Sequence, residues 1–366
     1  MTSTTTAMPA PASTGITNTL TASRLPKWAP GAIFAGCWAV AAGVFAIVQL
    51  STGGDYSIVG AIVFGTVLFN IMLFVLSSLV EGGRRSRDRL VTSLVVTAFL
   101  IALIPLVSLV VTVLGDGLAR FDLPFVQQSM RNVVGEGGGA LHAITGTLLI
   151  TGMATLISVP VGLLTAIYLV EYGQGHIARA ITFFVDVMTG IPSIVAGRFA
   201  FAFFSLITGD PGIRFGFGGA VALSLLMTPV VVRSSEEMLK IVPNELREAA
   251  YALGVPKWLT ILKVVIPTSI AGITTGVTLA IARVIGETAP LLIIAGFTAS
   301  MNYDLFNNRI MTLPVFVYTQ YSTPGTDVQA YLDRAWAAAL TLVLIVMALN
   351  LIARLVAKFF SPKLGR

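Results

Sequence analysis

The chain has 366 residues, of which 55% are hydrophobic and 11% charged, and its mean hydropathy is +0.88. Soluble domains carry about 25% charged residues, so this composition excludes an ordinary soluble enzyme and places the chain in a membrane. The net charge of +6 therefore indicates basic cytoplasmic loops rather than binding to nucleic acid.

The N-terminal region predicts a tail followed by a transmembrane hairpin. Residues 1–27 are rich in Thr, Ser, Ala and Pro and contain no charge before Arg24, which is typical of a disordered cytoplasmic tail. The apolar runs at 28–54 and 56–80 are long enough to span, and the first is too long for a signal peptide core. Residues 28–88 thus predict an extra hairpin and an arginine-rich loop. Its lone cysteine, Cys37, excludes an intrachain disulfide.

Residues 89–360 predict one further unit of six spans, and 361–366 form a short C-terminal tail. Five spans are predicted from apolar runs at 90–115, 137–170, 215–232, 264–282 and 335–353. A sixth, 180–207, is apolar except for Asp186 and Arg198. The predicted fold class is an all-α polytopic membrane protein of about eight spans. With both termini in the cytoplasm, most Lys and Arg residues lie inside, as the positive-inside rule requires.

The segment 243–267 predicts two short helices that meet at a sharp corner in the cytoplasm. Asn244 is a favourable N-cap. Gly254 can adopt a positive φ that ends the first helix, and Pro256 suits the first turn of the second. The apolar residues of the first helix recur at three- and four-residue spacing, at Leu246, Ala249, Ala250 and Leu253.

This corner resembles the EAA motif of bacterial import permeases, in which Glu-Ala-Ala, Gly and an aliphatic-x-aliphatic-Pro group recur at fixed spacing. Those positions are filled here by Glu248, Ala249, Ala250, Gly254 and 264–267. The resemblance implies a six-helix type I ABC importer core whose coupling helix docks on a separate ATPase subunit. Glu248 then makes a polar contact and Gly254 the turn. The resemblance further implies that ATP binding closes the ATPases and moves this helix as a rigid body.

The stretches 247–258, 279–283 and 286–292 are similar to the PstA permeases of phosphate-specific transporters, and 190–195 and 232–236 agree with them. The resemblance covers about residues 90–358. It implies half of a path for inorganic phosphate in a bacterial plasma membrane. The implied partners are a PstC-like permease, a PstB-like ATPase dimer, a PstS-like phosphate-binding protein and membrane lipid.

The chain itself is expected to hold no cofactor and to catalyse no reaction. The sequence contains no G-x-x-x-x-G-K-[ST] phosphate loop, so ATP and Mg²⁺ are expected on the ATPase subunit. His142 and His176 have no Cys or carboxylate cluster nearby, so no metal site is predicted.

Charges in or beside the spans are the candidates for the substrate path, because a charge in the bilayer costs ~2.5–3.5 kcal/mol and defaults to a function or an internal pair. The Arg233 guanidinium can bind phosphate through two parallel hydrogen bonds. Glu236 and Glu237 can hold Arg233 in an ion pair until the anion competes. The resemblance implies that Arg233 and Glu236 serve transport. The alternative is an arginine that reaches the membrane interface without a role.

Three further charges are candidates for the path, and each has an alternative explanation. Arg283 and Glu287 lie four apart in a predicted helix, so we expect an internal salt bridge, the alternative being that they line the outer path. Arg198 departs from the apolar residue usual in the family. It is a second phosphate ligand, the partner of a charge on another helix, or a substitution without a transport role, and we favour the last.

The sequence leaves a packing face, the substrate and the class of transporter with alternatives. Gly272 and Gly276 form a small-residue face that packs within the chain or against the paired permease. Another oxyanion such as molybdate or sulfate is an alternative substrate, although the Tyr-Ala-Leu-Gly and Gly-Glu-Thr-Ala-Pro stretches argue against it. An ion-coupled secondary transporter would be favoured by inverted repeats and broken helices, of which we see no convincing case. A signalling role cannot be separated from transport.

Overall fold

The structure is a computed structural model and describes residues 25–360. Most of the predicted N-terminal tail, 1–24, and the C-terminal tail, 361–366, lie outside the described residues. The described part is all-α, as predicted, with fourteen α-helices. These are α1 (Ala29–Thr52), α2 (Ile58–Glu81), α3 (Gly83–Leu118), α4 (Leu123–Gln127), α5 (Leu141–Ile167), α6 (Gly175–Thr189), α7 (Ser193–Thr208), α8 (Gly216–Ile241), α9 (Asn244–Ala252), α10 (Lys257–Thr260), α11 (Ile266–Val284), α12 (Ala289–Ile294), α13 (Leu313–Ser322) and α14 (Val328–Phe360).

Seven helical segments of the described part are long and apolar enough to cross a membrane. They are Ala29–Ser51, Ile58–Glu81, Gly83–Leu118, Leu141–Tyr172, Gly216–Ile241, Lys257–Val284 and Val328–Lys358. The eighth predicted span is not straight, because α6 and α7 are bent by 109° at the break between them. That break contains Gly190 and Pro192, and Pro192 directly precedes α7. Proline has no backbone N–H, so it cannot continue the hydrogen bonds of α6.

The chain divides into two compact units, one ending at Leu109 and one beginning at Val110. In the first unit α1 and α2 pack together, with Phe34 edge-on to Phe69 at a ring separation of 5.4 Å. Arg89 Nε donates to Glu81 Oε2 at 2.5 Å and joins the end of α2 to α3. The helix α3 is continuous through residue 109. The predicted limits of the hairpin and the permease domain stay a prediction.

The second unit is built around α8, which packs against α5, α7 and α11. Two-thirds of the most apolar 18-residue stretch of α8 is buried, a larger share than in any other spanning segment of the described chain. Leu223, Met227 and Val231 lie in this core. Small residues allow the close helix approach on which packing in a bilayer depends. Gly272 lies against Met238 and Gly276 against Ser234, so the small-residue face packs α11 on α8 within the chain.

The predicted corner is present between α9 and α10. Gly254 has φ +76°, a conformation that favours glycine, and its N–H donates to the Tyr251 carbonyl at 2.9 Å. The prediction that Asn244 caps α9 was wrong. The helix begins at Asn244 itself, because Pro243 takes the cap position, and the Asn244 side chain accepts from Arg247 at 3.2 Å instead.

Two π-helical segments flank this corner. Tyr168–Tyr172 continues α5, and Ile261–Val265 joins α10 to α11. A π turn places its residues off the register of the preceding α-helix, and such turns are frequent at functional sites. The end of α5 is therefore brought beside α9 and α10 by an irregular turn that the apolar pattern of the sequence did not reveal.

Candidate functional site

Four charged residues meet near the C-terminal end of α8, and we call them the Arg233 cluster: Asp186, Arg233, Glu236 and Lys240. Arg233 Nη1 donates to Glu236 Oε2 at 2.7 Å, while Nη2 donates to Asp186 Oδ1 of α6. Lys240 Nζ donates to Glu236 Oε1 at 2.7 Å. The guanidinium is thus bound by one carboxylate on each side.

The two carboxylates on Arg233 differ in their exposure. The Glu236 side chain is 10% exposed and held by two cations, whereas the Asp186 side chain is 61% exposed. Arg233 itself is 31% exposed. An exposed ion pair contributes about 0–1 kcal/mol, so the Asp186 contact is the weaker of the two. An incoming anion can therefore replace Asp186 at lower cost than Glu236.

Sequence reasoning found only part of the cluster. Glu236 pairs with Arg233 as the three-residue spacing predicts, but Glu237 is exposed and forms no ion pair with a described residue. Lys240 lies four residues after Glu236, so helical spacing could have found it. Asp186 lies 47 positions from Arg233 in the chain and reaches it from α6. No local pattern indicates that contact.

Arg283 and Glu287 do not form the expected salt bridge, so that prediction was wrong. The helix α11 ends at Val284, whose carbonyl accepts from the Glu287 N–H at 3.1 Å, so Glu287 is not one helical turn beyond Arg283. The chain turns through residues 285–288, and α12 begins at Ala289, with Pro290 packed against Gly197 of α7. Arg283 is exposed and Glu287 half-buried, and neither pairs with a described residue.

Arg198 lies on α7, is exposed, and forms no ion pair with a residue in the described range 25–360. Asp186, twelve residues before it in the sequence, is bound to Arg233 instead. The structure thus brings together Arg233 and Glu236 of the six predicted path residues. Arg198, Glu237 and Arg283 lie outside the cluster on exposed surfaces, and Glu287 lies outside it in a half-buried position.

The elbow formed by α9, Gly254 and α10 exposes the predicted coupling residues. Glu248 and Ala249 are exposed, as is Gly254, while Ala250 packs against the rest of the chain. Apolar side chains surround them without cover, and Leu253 is 84% exposed and Trp258 61%. An exposed apolar patch of this kind marks an interaction surface for a protein or a membrane.

Comparison with known proteins is consistent with this arrangement. The family described as "Binding-protein-dependent transport system inner membrane component" matches residues 158–366. "Phosphate transport system permease protein PstA 1" of Mycobacterium tuberculosis (strain ATCC 25618 / H37Rv) is 46% identical over 276 residues, which is 75% of this chain and 88% of that protein. The PstA protein of Haemophilus influenzae is 38% identical over 284 residues, 76% of this chain and 96% of that protein.

Among solved structures, a chain of the bacterial alginate ABC transporter in complex with its alginate pentasaccharide-bound periplasmic protein has a TM-score of 0.56. The match covers 76% of this chain and 97% of that chain at 14% identity. An identity this low supports the fold alone. The helical arrangement described above is therefore that of an ABC importer permease.

Proposed function

The chain belongs to the PstA permeases, within the binding-protein-dependent transport system inner membrane components, and we propose that its Arg233 cluster lies on the path of inorganic phosphate into the cell. It is a multi-pass inner membrane protein and a permease subunit of a phosphate ABC import system, whose ATPase is a separate subunit. Membership of this family argues against the alternative of an ion-coupled secondary transporter.

The exchangeable ion pair on Arg233 carries the proposal. Phosphate takes the position of the exposed Asp186 carboxylate and binds the guanidinium through parallel hydrogen bonds, the geometry that arginine favours. Glu236 stays in place, because Lys240 also holds it. When the anion leaves, Asp186 returns, so the guanidinium has an anionic partner on both sides in either state, and an unpaired charge in a membrane is costly.

The uncovered charges extend the proposed path outward. Arg283 lies 16 residues beyond Pro267 on its helical segment, or ~24 Å towards the outer side. An exposed charge in a spanning helix is tolerated where it faces a water-filled cavity or another subunit. We therefore assign Arg283, Glu287 and Arg198 to the outer path or to the face of a PstC-like permease, and Glu237 to its cytoplasmic mouth.

The exposed elbow is the proposed contact with a PstB-like ATPase dimer. Glu248 supplies the polar contact, Ala249 lets the partner approach closely, and Gly254 with Ala250 fixes the turn. A PstS-like binding protein delivers phosphate from outside. In this arrangement both termini of the chain lie in the cytoplasm, which also places the arginine-rich start of α3 inside; the structure has a helix here where the sequence predicted a loop.

Uptake by the whole importer in proteoliposomes tests the proposal. We expect Arg233→Gln to leave the complex assembled and to abolish ATP-driven uptake of radiolabelled phosphate, because glutamine cannot offer a charged donor pair. Arg131→Gln is the matched control, since Arg131 is exposed in a loop and forms no ion pair with a described residue. Uptake at the wild-type rate in Arg233→Gln would remove Arg233 from the path. Competition by excess sulfate or molybdate would indicate the other oxyanions as substrates.

A further inference from the structure

We propose that Glu171 and Arg247 form a clamp that ties the coupling elbow to the ends of α5 and α8, so that all three move as one body. They are positioning residues, which act on the path through the helices they hold. The inference rests on the proposed function, in which the elbow receives the motion of an ATPase.

A single guanidinium joins three elements at this point. Arg247 of α9 donates from Nε to Glu171 Oε1 at 3.0 Å, at the π-helical end of α5. Its Nη1 donates to the Val242 carbonyl at 2.6 Å and its Nη2 to the Leu239 carbonyl at 3.0 Å, both at the end of α8. Arg247 directly precedes Glu248, so the clamp adjoins the predicted coupling residues.

The other arm of the elbow reaches the same residue. Lys257, the first residue of α10, donates from Nζ to the backbone carbonyl of Glu171. The Lys257 ammonium also lies 4.9 Å from the centre of the Tyr172 ring, within the range of a cation–π contact. Both helices of the elbow are therefore bound to one turn at the end of α5.

Burial distinguishes the clamp from an ordinary surface ion pair. The Glu171 side chain is 5% exposed and the Arg247 side chain 12%. Charged groups that are shielded from water bind more strongly than exposed ones, and bonds to fixed backbone carbonyls add a defined geometry. The contact can therefore transmit displacement without first breaking.

Apolar packing does not offer an alternative connection for α9. Ala250 is the one residue of this helix that is buried. Since α9 has few apolar contacts with the bundle, a push on its exposed face must pass through the polar bonds of Arg247 or through the chain on either side of it. From Glu171 the displacement reaches α5, and α5 packs along α8, which carries the Arg233 cluster.

The test compares Glu171→Gln with the matched control Glu136→Gln, an exposed glutamate of the outer segment that forms no ion pair with a described residue. Both are studied as the whole importer in proteoliposomes, with ATP hydrolysis and phosphate uptake measured together. We expect Glu171→Gln to keep hydrolysis within about twofold of wild type while uptake per ATP falls about fivefold, since rigid-body transfer is lost. Glu136→Gln should match wild type in both.

A second measurement tests the clamp independently of phosphate transport. Spin labels at exposed Leu164 on α5 and at exposed Glu245 on α9 report the distance between the two elements. This distance should be the same with and without ATP in the otherwise unaltered complex, and should change with ATP in the Glu171→Gln complex. An ATP-dependent distance without the substitution would overturn the clamp.

The outcomes separate the two proposals. Unchanged uptake per ATP in Glu171→Gln overturns the clamp and leaves the proposed function standing. Loss of hydrolysis and uptake in equal measure shows a role in assembly only and also overturns it. If the unaltered importer hydrolyses ATP but carries no phosphate, the proposed function fails, and the label distances still decide whether the clamp exists.

Discussion

Arg233 and Arg247 lie on either side of the end of α8, and their surroundings give the same side chain two different tasks. Arg233 is bound by two carboxylates, of which Asp186 is 61% exposed, and reaches one backbone carbonyl, that of Thr182, only at 3.5 Å. Arg247 is bound by a carboxylate that is 5% exposed and by two backbone carbonyls. A solvated acidic side chain can swing away and return, whereas a backbone carbonyl at a helix end cannot. The first arginine is therefore suited to exchange partners and the second to hold them.

The comparison predicts its largest effect on stability at Arg247. Arg247→Ala leaves Glu171 buried without its partner, so we expect the free energy of unfolding to fall by about 3 kcal/mol. Arg233→Ala leaves Glu236 bound to Lys240, so the corresponding loss should be about 1 kcal/mol. Thermal unfolding of the two purified variants in detergent measures the difference. Equal losses would mean that the two arginines do not differ as described.

When transport is measured instead of stability, we expect the larger effect at Arg233 and the smaller at Arg247, even for a substitution that keeps the charge. Lysine keeps the charge but cannot make two parallel bonds to an oxyanion, so Arg233→Lys should lower phosphate uptake about tenfold. Arg247→Lys serves as the comparison for charge retention at the clamp and should lower uptake by a smaller factor, with assembly preserved. If Arg233→Lys transports like wild type, the path does not depend on bidentate binding.

Removing the carboxylate of Asp186, which competes with phosphate for Arg233, should strengthen phosphate binding. Asp186→Asn keeps the size of the side chain but weakens its hold on the guanidinium, so we expect the apparent affinity for phosphate to rise about threefold, or ~0.7 kcal/mol. Uptake measured over a range of phosphate concentrations gives this value. A weaker affinity would show that Asp186 supports the anion site and does not compete for it.

The smallest effect is expected at Glu237. It is adjacent to Glu236 but exposed and without an ion pair in the described part of the chain, so Glu237→Gln should change uptake by less than about twofold. Glu236→Gln is the matched comparison and should impair uptake much more, since Glu236 is the buried member of the cluster. Equal impairment by both variants would require Glu237 to take part directly.

Local sequence signals found the elements whose cause is local. Gly254 ends α9 because its positive φ suits glycine, and the spacing of Arg233 and Glu236 brings them together on one helix face. The elbow and three of the four members of the Arg233 cluster, all but Asp186, could therefore be predicted from local spacing. The family resemblance supplied the fold and the substrate class.

Other contacts join distant parts of the chain and could not be predicted from local sequence signals. Asp186 reaches Arg233 from a separate helix, and Glu171 reaches Arg247 from the π-helical end of α5. The expected salt bridge between Arg283 and Glu287 failed because α11 ends at Val284, so the two residues do not lie on one helix. An apolar pattern indicates that a segment spans, but not where its helix stops.

A structure of the assembled importer with phosphate bound tests the central claim most directly. Phosphate should lie within hydrogen-bonding distance of the Arg233 guanidinium, with Asp186 displaced and Glu236 still bound to Lys240. The bonds from Arg247 to Glu171 and to the end of α8 should be unchanged. Phosphate bound elsewhere in the path, with the contact between Arg233 and Asp186 intact in every state of the cycle, would contradict the account.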